Sequence, residues 1–363
     1  MSSNPQFDFA KSFGRKSGGR RVSPLSITVG ILVAAAIALV SLSGFYADWL
    51  WYKSVDYTSV WSTTLFTKVY LFIGFGLITS LFVLLNVYLA FKRRPVYVSM
   101  AVENDNLERY RAQLEPLRKL AFAGVGLAVF YFAGTAGTSL WRTWLLFKNS
   151  TDFGVKDVQF NLDISFFAFR LPFWQSLISW GFSALILALL AAGAVHYLYG
   201  GLRPQSRQDR STPFARAQLS VLLGLVVLLK GVAYWFDRYA LSLKENKLIT
   251  GLTYSDVNAL LPAKAILAGI AVICSLLFFA NIFRKSWFLP ASGTALLVIS
   301  SILIAGVYPA AIQTFQVKPS ESSKEAPYIQ RNIDATRDAY DLSGVEMKDY
   351  AATLETSSGQ LAN

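Results

Sequence analysis

The sequence predicts an all-α fold, a polytopic membrane helix bundle of about seven transmembrane helices. The first observation is composition: of the 363 residues, 54% are hydrophobic and 15% are charged, and the mean hydropathy is +0.41. An ordinary soluble domain is less apolar and carries about 25% charged residues. The second observation is a series of long apolar runs, and the third is an unequal distribution of Lys and Arg between the segments that join them.

Residues 1–26 are polar and basic, and we predict a disordered cytoplasmic N-terminus there. The apolar run that follows is longer than the roughly 7–15 residues of a signal-peptide core, so it is predicted to remain as a first span. A helix needs about 20 mostly apolar residues to cross a hydrocarbon core of about 30 Å. The runs that qualify are residues 27–49, 65–91, 120–140, 173–198, 219–236, 265–283 and 288–312. The predicted domains are therefore 1–26, a seven-helix transmembrane domain over 27–312, and the start of an extracytoplasmic region over 313–363.

The positive charges predict the orientation of the bundle. With the N-terminus inside, the inside segments hold roughly twice as many Lys and Arg as the outside segments, which is the bias of a plasma-membrane protein. An odd number of spans then places the C-terminus outside. The net charge of +12 is thereby explained as a topology signal. It does not indicate a nucleic-acid partner.

The residue types that carry most enzyme chemistry are scarce. Cys274 is the only cysteine and His196 the only histidine, so the sequence forms no intramolecular disulfide and no Cys-based or His-rich metal centre. The phosphate-binding, zinc-protease and serine-hydrolase motifs are missing. We therefore predict a protein without a cofactor and without enzymatic activity.

Few polar residues fall inside the predicted spans. Asn86 and Lys230 are the two that we single out, and Lys230 is near enough to an interface to extend its ammonium group toward it. No Asp or Glu lies at mid-depth in any predicted span, which weighs against a carrier driven by protons or sodium ions. Asn86 and Lys230 remain candidates for lining a path for an apolar substrate.

Two outside loops carry candidate sites. The loop "DVQFNLDISFFAFRLPFW" is too aromatic to lie freely in water, so we predict an interfacial or re-entrant element that offers a docking surface. Its candidate residues are Phe160, Asp163, Phe166, Phe167 and Phe169.

The loop "GLTYSDVNALLPAKAIL" precedes the sixth predicted span. Ser255 or Asp256 fits the N-cap of that helix, and Pro262 predicts a break close to the membrane. The alternative is that Asp256 and Asn258 coordinate a cation.

Residues 101–119, on the inside, place leucines at helical spacing among charges. We predict a short amphipathic helix on the cytoplasmic membrane surface. A role in lipid binding for Arg93, Arg94, Arg109 and Arg111 is a weaker alternative, because any inside loop is basic.

After the last predicted span, Pro309 and Pro319 are expected to stop the helix. Residues 328–340 then alternate apolar and charged faces at helical spacing, which predicts an amphipathic helix outside the membrane. We expect this helix to join the bundle to an outer domain. Its candidate contacts are Tyr328, Arg331, Asn332 and Arg337.

Five strings in order carry a family resemblance: "WYKSVDYTSVWSTTLFTK", "DVQFNLDISFFAFRLPF", "GLTYSDVNALLPAKAIL", "VYPAAIQTFQVKPSE" and "PYIQRNIDATRDAYDL". Together they resemble the large bacterial membrane proteins of uncharacterised protein family 0182. The resemblance implies about seven spans followed by an extracytoplasmic region of several hundred residues, so that this chain is an N-terminal portion. It implies no catalytic residue.

These features favour two functions, and an enzyme whose active site lies in the outer domain or uses residues without a recognisable motif is a third alternative. The first is a non-enzymatic membrane anchor or scaffold for a large outer domain within an envelope complex. The second is a transporter or channel-like component for a lipid or another amphipathic molecule, with Asn86, Lys230, Asp256 and Asn258 along its path. The expected partners are membrane lipids and either an envelope protein or a second copy of the chain.

Overall fold

The computed structural model describes residues 24–95, 105–204, 210–246, 249–283, 288–346 and 348. Within these ranges the chain is helical and forms no β-strand, only isolated bridges. The helices are α1 (Pro24–Ser54), α2 (Thr58–Lys92), α3 (Asp105–Thr138), α4 (Trp141–Lys148), α5 (Leu171–Leu198), α6 (Pro213–Ala240), α7 (Leu261–Ala280), α8 (Phe288–Ile302), α9 (Tyr308–Ile312) and α10 (Glu321–Ala339).

Seven helical runs are long and apolar enough to cross a membrane, as the sequence predicts. They are Ile27–Ser54, Thr58–Lys92, Glu115–Thr138, Phe166–Leu198, Pro213–Leu243, Asp256–Ala280 and Phe288–Ala339. The all-α prediction is confirmed for the described residues.

The separate amphipathic helix predicted on the inner surface is wrong. Residues 105–119 belong to α3, which runs without interruption into the third apolar run, while residues 101–104 and the side chains of Arg109 and Arg111 lie outside the described part. Pro116 lies inside this helix. It does not end the helix because strong helix formers flank it on both sides.

Prolines coincide with π turns along the described helices. Each π turn ends two residues before a proline: Phe166–Arg170 before Pro172, Asp256–Leu260 before Pro262, Leu303–Val307 before Pro309, and Gln313–Val317 before Pro319. Proline has no N–H and its ring clashes with the carbonyl four residues earlier, and a local widening of the helix relieves that clash. The helices therefore continue past Pro262 and Pro309, so the break predicted at Pro262 and the stop predicted at Pro309 are wrong. At Pro319 the helical geometry is interrupted one residue later, at Ser320.

The chain divides into two compact units, Met1–Phe66 and Thr67–Asn363. In the first unit, the Phe45 ring of α1 lies 4.9 Å from the Trp61 ring near the start of α2. The apolar side chains of α1, such as Ile37 and Leu39, are exposed, as expected for a helix that meets lipid.

In the second unit, glycines bring neighbouring helices into close contact. A Cβ atom on Gly134 of α3 would lie 2.8 Å from the Phe72 ring of α2. One on Gly137 would lie 2.7 Å from Cβ of Phe75. Helices α6 and α7 meet in the same way, because a Cβ on Gly224 would lie 2.5 Å from the Phe279 ring. Small residues allow such packing where lipid supplies no hydrophobic drive between helices.

The seventh run is much longer than a membrane is thick. Its 52 residues, Phe288–Ala339, would extend about 78 Å as a straight α-helix, against about 30 Å for the hydrocarbon core. Ser320 departs from helical geometry, with φ −138° and ψ 41°, and α10 begins immediately after it. Helix α10 then packs on the loop that precedes α7, which creates the candidate site.

Candidate functional site: the outer junction

Three segments meet at the end of the bundle that the charge bias assigns to the outside. They are the loop before α5 (residues 149–163), the described part of the loop between α6 and α7 (241–246 and 249–253), and α10. We call this meeting point the outer junction. It contains most of the site residues that the sequence predicts.

The helical run that leads into α7 starts at Tyr254 with a capping box. The Oγ1 of Thr253 accepts the N–H of Asp256 at 3.4 Å, and the carboxylate of Asp256 accepts the N–H of Thr253 at 3.1 Å. The Thr253 hydroxyl also donates to Asp256 at 2.8 Å. This reciprocal arrangement satisfies free donors of the first turn. The cap is therefore Thr253, and the prediction of Ser255 or Asp256 as the N-cap is wrong by two or three positions.

Asp256 is almost completely buried, and protein groups contact both of its carboxylate oxygens. Oδ1 lies 2.8 Å from Nζ of Lys244, and Oδ2 receives the contacts from Thr253. The Asn258 amide donates to the Tyr254 carbonyl at 2.9 Å. Nothing in this geometry favours cation coordination by Asp256, since both of its carboxylate oxygens already have protein partners.

Glu325 of α10 supplies the main contact across the junction. Its side chain is buried, and its carboxylate accepts the N–H of Tyr254 at 3.0 and 3.3 Å. That N–H belongs to the first turn of the run into α7, where the helix dipole favours negative charge. A carboxylate 71 residues later in the chain thus completes the capping of this helix.

Aromatic and cationic side chains surround this contact. Nζ of Lys324 lies 4.8 Å from the centre of the Tyr254 ring and 3.4 Å from its hydroxyl oxygen. The Tyr328 ring packs edge-on against Tyr254 at 6.4 Å, and the amide of Asn258 approaches the Tyr328 hydroxyl at 3.5 Å. These contacts shield the Glu325 carboxylate from water, which strengthens its hydrogen bonds.

The other predicted joint residues divide into two groups. Asn332 donates to the carbonyl of Thr250 at 2.9 Å, and Arg331 donates to the Gln159 amide oxygen at 3.4 Å. Among the described residues, Arg337 makes its hydrogen bonds within its own segment. It donates to the carbonyls of Leu342 and Val345, 3.3 and 2.7 Å away, and so holds the residues that follow α10.

The aromatic residues of the loop before α5 pack on the protein. The rings of Phe160 and Phe166 lie 5.1 and 5.4 Å from that of Tyr239 in α6, and Phe167 is buried beside them. Phe169 packs on Phe153 at 5.4 Å. The helical run of α5 begins at Ile164, before its predicted start at residue 173. Three of the five docking candidates, Phe166, Phe167 and Phe169, therefore lie within its first turns.

Asp163 orders this loop from the start of that run. Its carboxylate accepts the N–H groups of Phe153, Gly154 and Ser165 at 2.9–3.0 Å. The hydroxyl of Ser165, followed by these backbone donors, lowers the pKa of Asp163 from 3.8 to about 2. Arg170 pairs with Asp152 at 3.2 Å, and so links this loop to the first turns of the same run.

An open cleft of about 950 Å³ lies between the two loops and α10. Its walls include Phe153 and Lys156 from the first loop, Thr250 from the second, and Arg331 and Asp338 from α10. Apolar and charged groups of both signs thus line one surface that faces outward from the junction.

The family model described as "Uncharacterised protein family (UPF0182)" matches residues 25–363. The chain belongs to this family. The UPF0182 protein SCO5204 of Streptomyces coelicolor is 49% identical over 348 residues, which cover 94% of this chain and 35% of that protein. A UPF0182 protein of a Nocardioides species is 44% identical over 95% of this chain and 34% of its own length. One of Frankia casuarinae is 42% identical over 93% and 33%.

The chain thus spans about a third of the length of the curated UPF0182 relatives that it matches. No solved structure matches it. The family assignment confirms the resemblance carried by the five sequence strings.

Two of the predicted polar residues lie away from the outer junction of this UPF0182 chain. Asn86 of α2 accepts from the Gln218 amide at 3.1 Å, and Gln218 also contacts Nε2 of His196 at 2.9 Å. Lys230 lies 4.5 Å over the Tyr234 ring. The contacts of Gln218 join α2, α5 and α6, whereas the contact of Lys230 with Tyr234 lies within α6.

Sequence reasoning missed several residues of the UPF0182 junction. Thr253 carries a detectable signal, because its T-x-x-D spacing to the predicted Asp256 is that of a capping box. Glu325, Lys324 and Lys244 carry no local signal, because each is an ordinary charged residue in a polar segment. Their roles depend on contacts with distant parts of the chain.

Proposed function

We propose that this chain is the membrane anchor of a longer UPF0182 protein and that it holds an extracytoplasmic region in a fixed orientation at the plasma membrane. The observation that carries the proposal is the buried Glu325 carboxylate on the first turn of the run into α7. A tether that only attached an outer region would not need to be fixed to the bundle by a buried charge. The proposed activity is non-enzymatic.

The geometry of the seventh run supports this role. The run carries apolar residues along the candidate span and continues into α10, so the polypeptide leaves the bundle as a helix. Contacts from Glu325, Tyr328, Arg331 and Asn332 to two different loops restrict the rotation of α10. A segment that follows α10 would therefore start from a defined direction.

The relatives are about three times as long as this chain, so they contain further polypeptide that the bundle could anchor. In relatives of that length, about two thirds of the polypeptide lies outside the matched part. We place the N-terminus of this chain in the cytoplasm and α10 outside, on the evidence of the Lys and Arg bias. The outer partner is then the rest of the polypeptide, with an envelope protein or a second copy of the chain as a further partner.

A second candidate function is transport of a lipid or another amphipathic molecule. The observation that favours it is a crevice of about 500 Å³ between α2, α3 and α5, lined mostly by apolar side chains such as Val129, Ala133 and Leu187. The candidate path residues do not line this crevice, since Asn86, Lys230, Asp256 and Asn258 lie elsewhere. The anchor function is therefore the better supported.

A protease-release experiment tests the anchor function. A specific protease site is inserted after the exposed Gly344 in the full-length protein, and the protease is added to the outside of intact protoplasts. We expect cleavage, with release of the outer region into the medium, whereas a copy without the site stays in the membrane. Resistance to cleavage in intact protoplasts, together with cleavage after lysis, would refute the orientation. Cleavage without release would refute the anchor.

A further inference from the structure

Three arginines meet aromatic rings at the end of the second unit opposite the outer junction. The guanidinium of Arg94 lies 4.0 Å from the centre of the Phe91 ring and 5.2 Å from that of Tyr199. Arg118 of α3 lies 5.8 Å from the same Phe91 ring. At the edge of this group, Arg93 lies 5.9 Å from the ring of Phe214, in the first turn of α6. Residues from four helices or their ends thus hold these guanidinium groups in place.

The positive charge of this cluster is only partly balanced. Within the ranges that the structure describes, Glu115 is the one carboxylate in ion-pair contact with these arginines. Its Oε1 lies 3.8 Å from Arg94 and 3.9 Å from Arg118, at the long limit for an ion pair. Both guanidinium groups therefore approach a single oxygen from different helices, and they retain donor capacity for a second anion.

The Nη1 donor of Arg94 is buried from solvent and makes no hydrogen bond with the part of the chain that the structure describes. A buried charged donor without a partner is costly, so its presence in a native fold calls for an acceptor. About a third of the Arg94 side chain remains exposed, 34%, so an acceptor has access from outside the bundle.

The cluster lies at the depth of a membrane surface. Arg93 and Arg94 follow the last residue of the candidate span Thr58–Lys92, and Arg118 lies in the first turn of Glu115–Thr138. The Lys and Arg bias assigns this end to the cytoplasmic side, where anionic lipid headgroups are abundant. Planar guanidinium groups bind phosphate through paired hydrogen bonds.

We propose that Arg94 and Arg118 bind the phosphate of an anionic phospholipid headgroup in the inner leaflet, with Arg93 contributing charge at the edge. The aromatic rings fix the guanidinium groups before the lipid arrives, which lowers the entropic cost of binding. This site is independent of the anchor function and of the outer junction. It also predicts a preference for anionic over zwitterionic lipid.

The test is a lipid titration of the delipidated, full-length protein in a non-ionic detergent, followed by native mass spectrometry. The probe is dioleoyl phosphatidylglycerol, and dioleoyl phosphatidylcholine is the lipid control. The variants are Arg94→Gln, Arg94→Lys and Arg118→Gln, with Arg210→Gln as the matched control because Arg210 is an exposed arginine near the same end. Elution as a single species on gel filtration selects folded variants.

We expect one phosphatidylglycerol per chain at low lipid concentration. Arg94→Gln and Arg118→Gln should each weaken the affinity for phosphatidylglycerol about tenfold, which is the effect of losing one charge-assisted hydrogen bond. Arg94→Lys should weaken it roughly fivefold despite the retained charge, because lysine cannot form the paired contact. Arg210→Gln should change it by no more than about twofold.

Equal losses for Arg94→Gln and Arg210→Gln would overturn the site and indicate general surface charge. Equal binding of phosphatidylcholine would overturn the anionic preference. Displacement of the lipid by an equal concentration of inorganic phosphate would overturn the lipid as the natural ligand. If Arg94→Gln does not fold, Arg118→Gln decides the matter, since half of that side chain is exposed and its loss leaves the helix packing intact.

Discussion

Replacement of Glu325 by alanine should detach α10 from the bundle without unfolding the bundle. The carboxylate makes a charge-assisted contact with the Tyr254 N–H, and the side chain is 8% exposed. Loss of such a contact, which leaves a shielded N–H without its partner, costs about 2 kcal/mol. That energy shifts the equilibrium between docked and detached α10 about thirtyfold toward the detached form.

Distance measurement between two spin labels reports this shift directly. One label replaces the exposed Lys148 at the end of α4, and the other replaces Ile333 on α10, which is 45% exposed. The native Cys274 is buried and should not react with the label. We expect a narrow distance distribution for the wild type and a broad one for Glu325→Ala, measured by pulsed electron paramagnetic resonance.

Two variants make the result specific. Glu325→Gln keeps an acceptor oxygen but not the charge, so it should broaden the distribution less than alanine does. Glu321→Ala removes an exposed carboxylate from the first turn of the same helix, and it should leave the distribution unchanged. A narrow distribution at the wild-type distance in Glu325→Ala would refute the reasoning, because α10 would then be held by other contacts.

Three further predictions concern stability, measured as thermal unfolding in detergent. The lowered pKa of Asp163 means that its contribution is complete well above the unfolded pKa of about 3.9 and is lost as the pH falls through the folded pKa of about 2. Asp163→Asn should therefore be less stable than the wild type at pH 6, and the difference should be much smaller at pH 2.5. An equal difference at both pH values would contradict this assignment. Gly134→Val should separate α2 from α3 and clearly lower the midpoint temperature of unfolding, since a Cβ at this position meets Phe72 at 2.8 Å. Gly124→Val, with open space around the glycine, should have little effect. Similar midpoints for the two variants would count against the close packing. Asp256→Asn retains much of the cap but loses the ion pair with Lys244, so we expect the free energy of unfolding to fall by about 1 kcal/mol. Lys244→Met should reproduce this loss, and the double variant should not increase it. Additive losses would show that the two side chains act separately.

The number and type of helices could be predicted because they depend on local sequence. A run such as residues 173–198 is apolar over the length that a bilayer requires, and no distant residue changes that requirement. The path of the chain around proline was predicted wrongly for a physical reason. In water, the carbonyls released by Pro309 would be hydrated and the helix could end, but in lipid a π turn keeps the backbone hydrogen-bonded.

The candidate site was predicted only in part because its decisive contacts are long-range. Tyr328, Arg331 and Asn332 could be found from the polar face of a short amphipathic helix. The position of Glu325 on Tyr254 follows from how the seventh run bends at Ser320, which the sequence does not reveal. The same limit applies to Gln218, whose contacts with Asn86 and His196 connect three helices.

The start of the run into α7 depends on two carboxylates that come from different parts of the chain. Asp256 accepts the N–H of Thr253, and Glu325 accepts the next N–H, that of Tyr254. Lys244 pairs with the first carboxylate and Lys324 lies on the Tyr254 ring beside the second, so the negative charge at this helix end is balanced. Movement of α10 away from the bundle would remove one acceptor and leave the other.

Helix α7 cannot easily adjust to that loss by moving alone. A Cβ on Gly231 of α6 would lie 3.3 Å from the Ala268 carbonyl of α7, and the Ser275 hydroxyl donates to the Gly224 carbonyl at 3.0 Å, so the two helices pack with their backbones close together. A change in the position of α10 therefore first alters the hydrogen bonds at the start of the run into α7. The packing of α7 on α6 opposes any further movement of α7. The outer junction thus makes the orientation of α10 a property of the bundle, which is what an anchor for an oriented outer region requires.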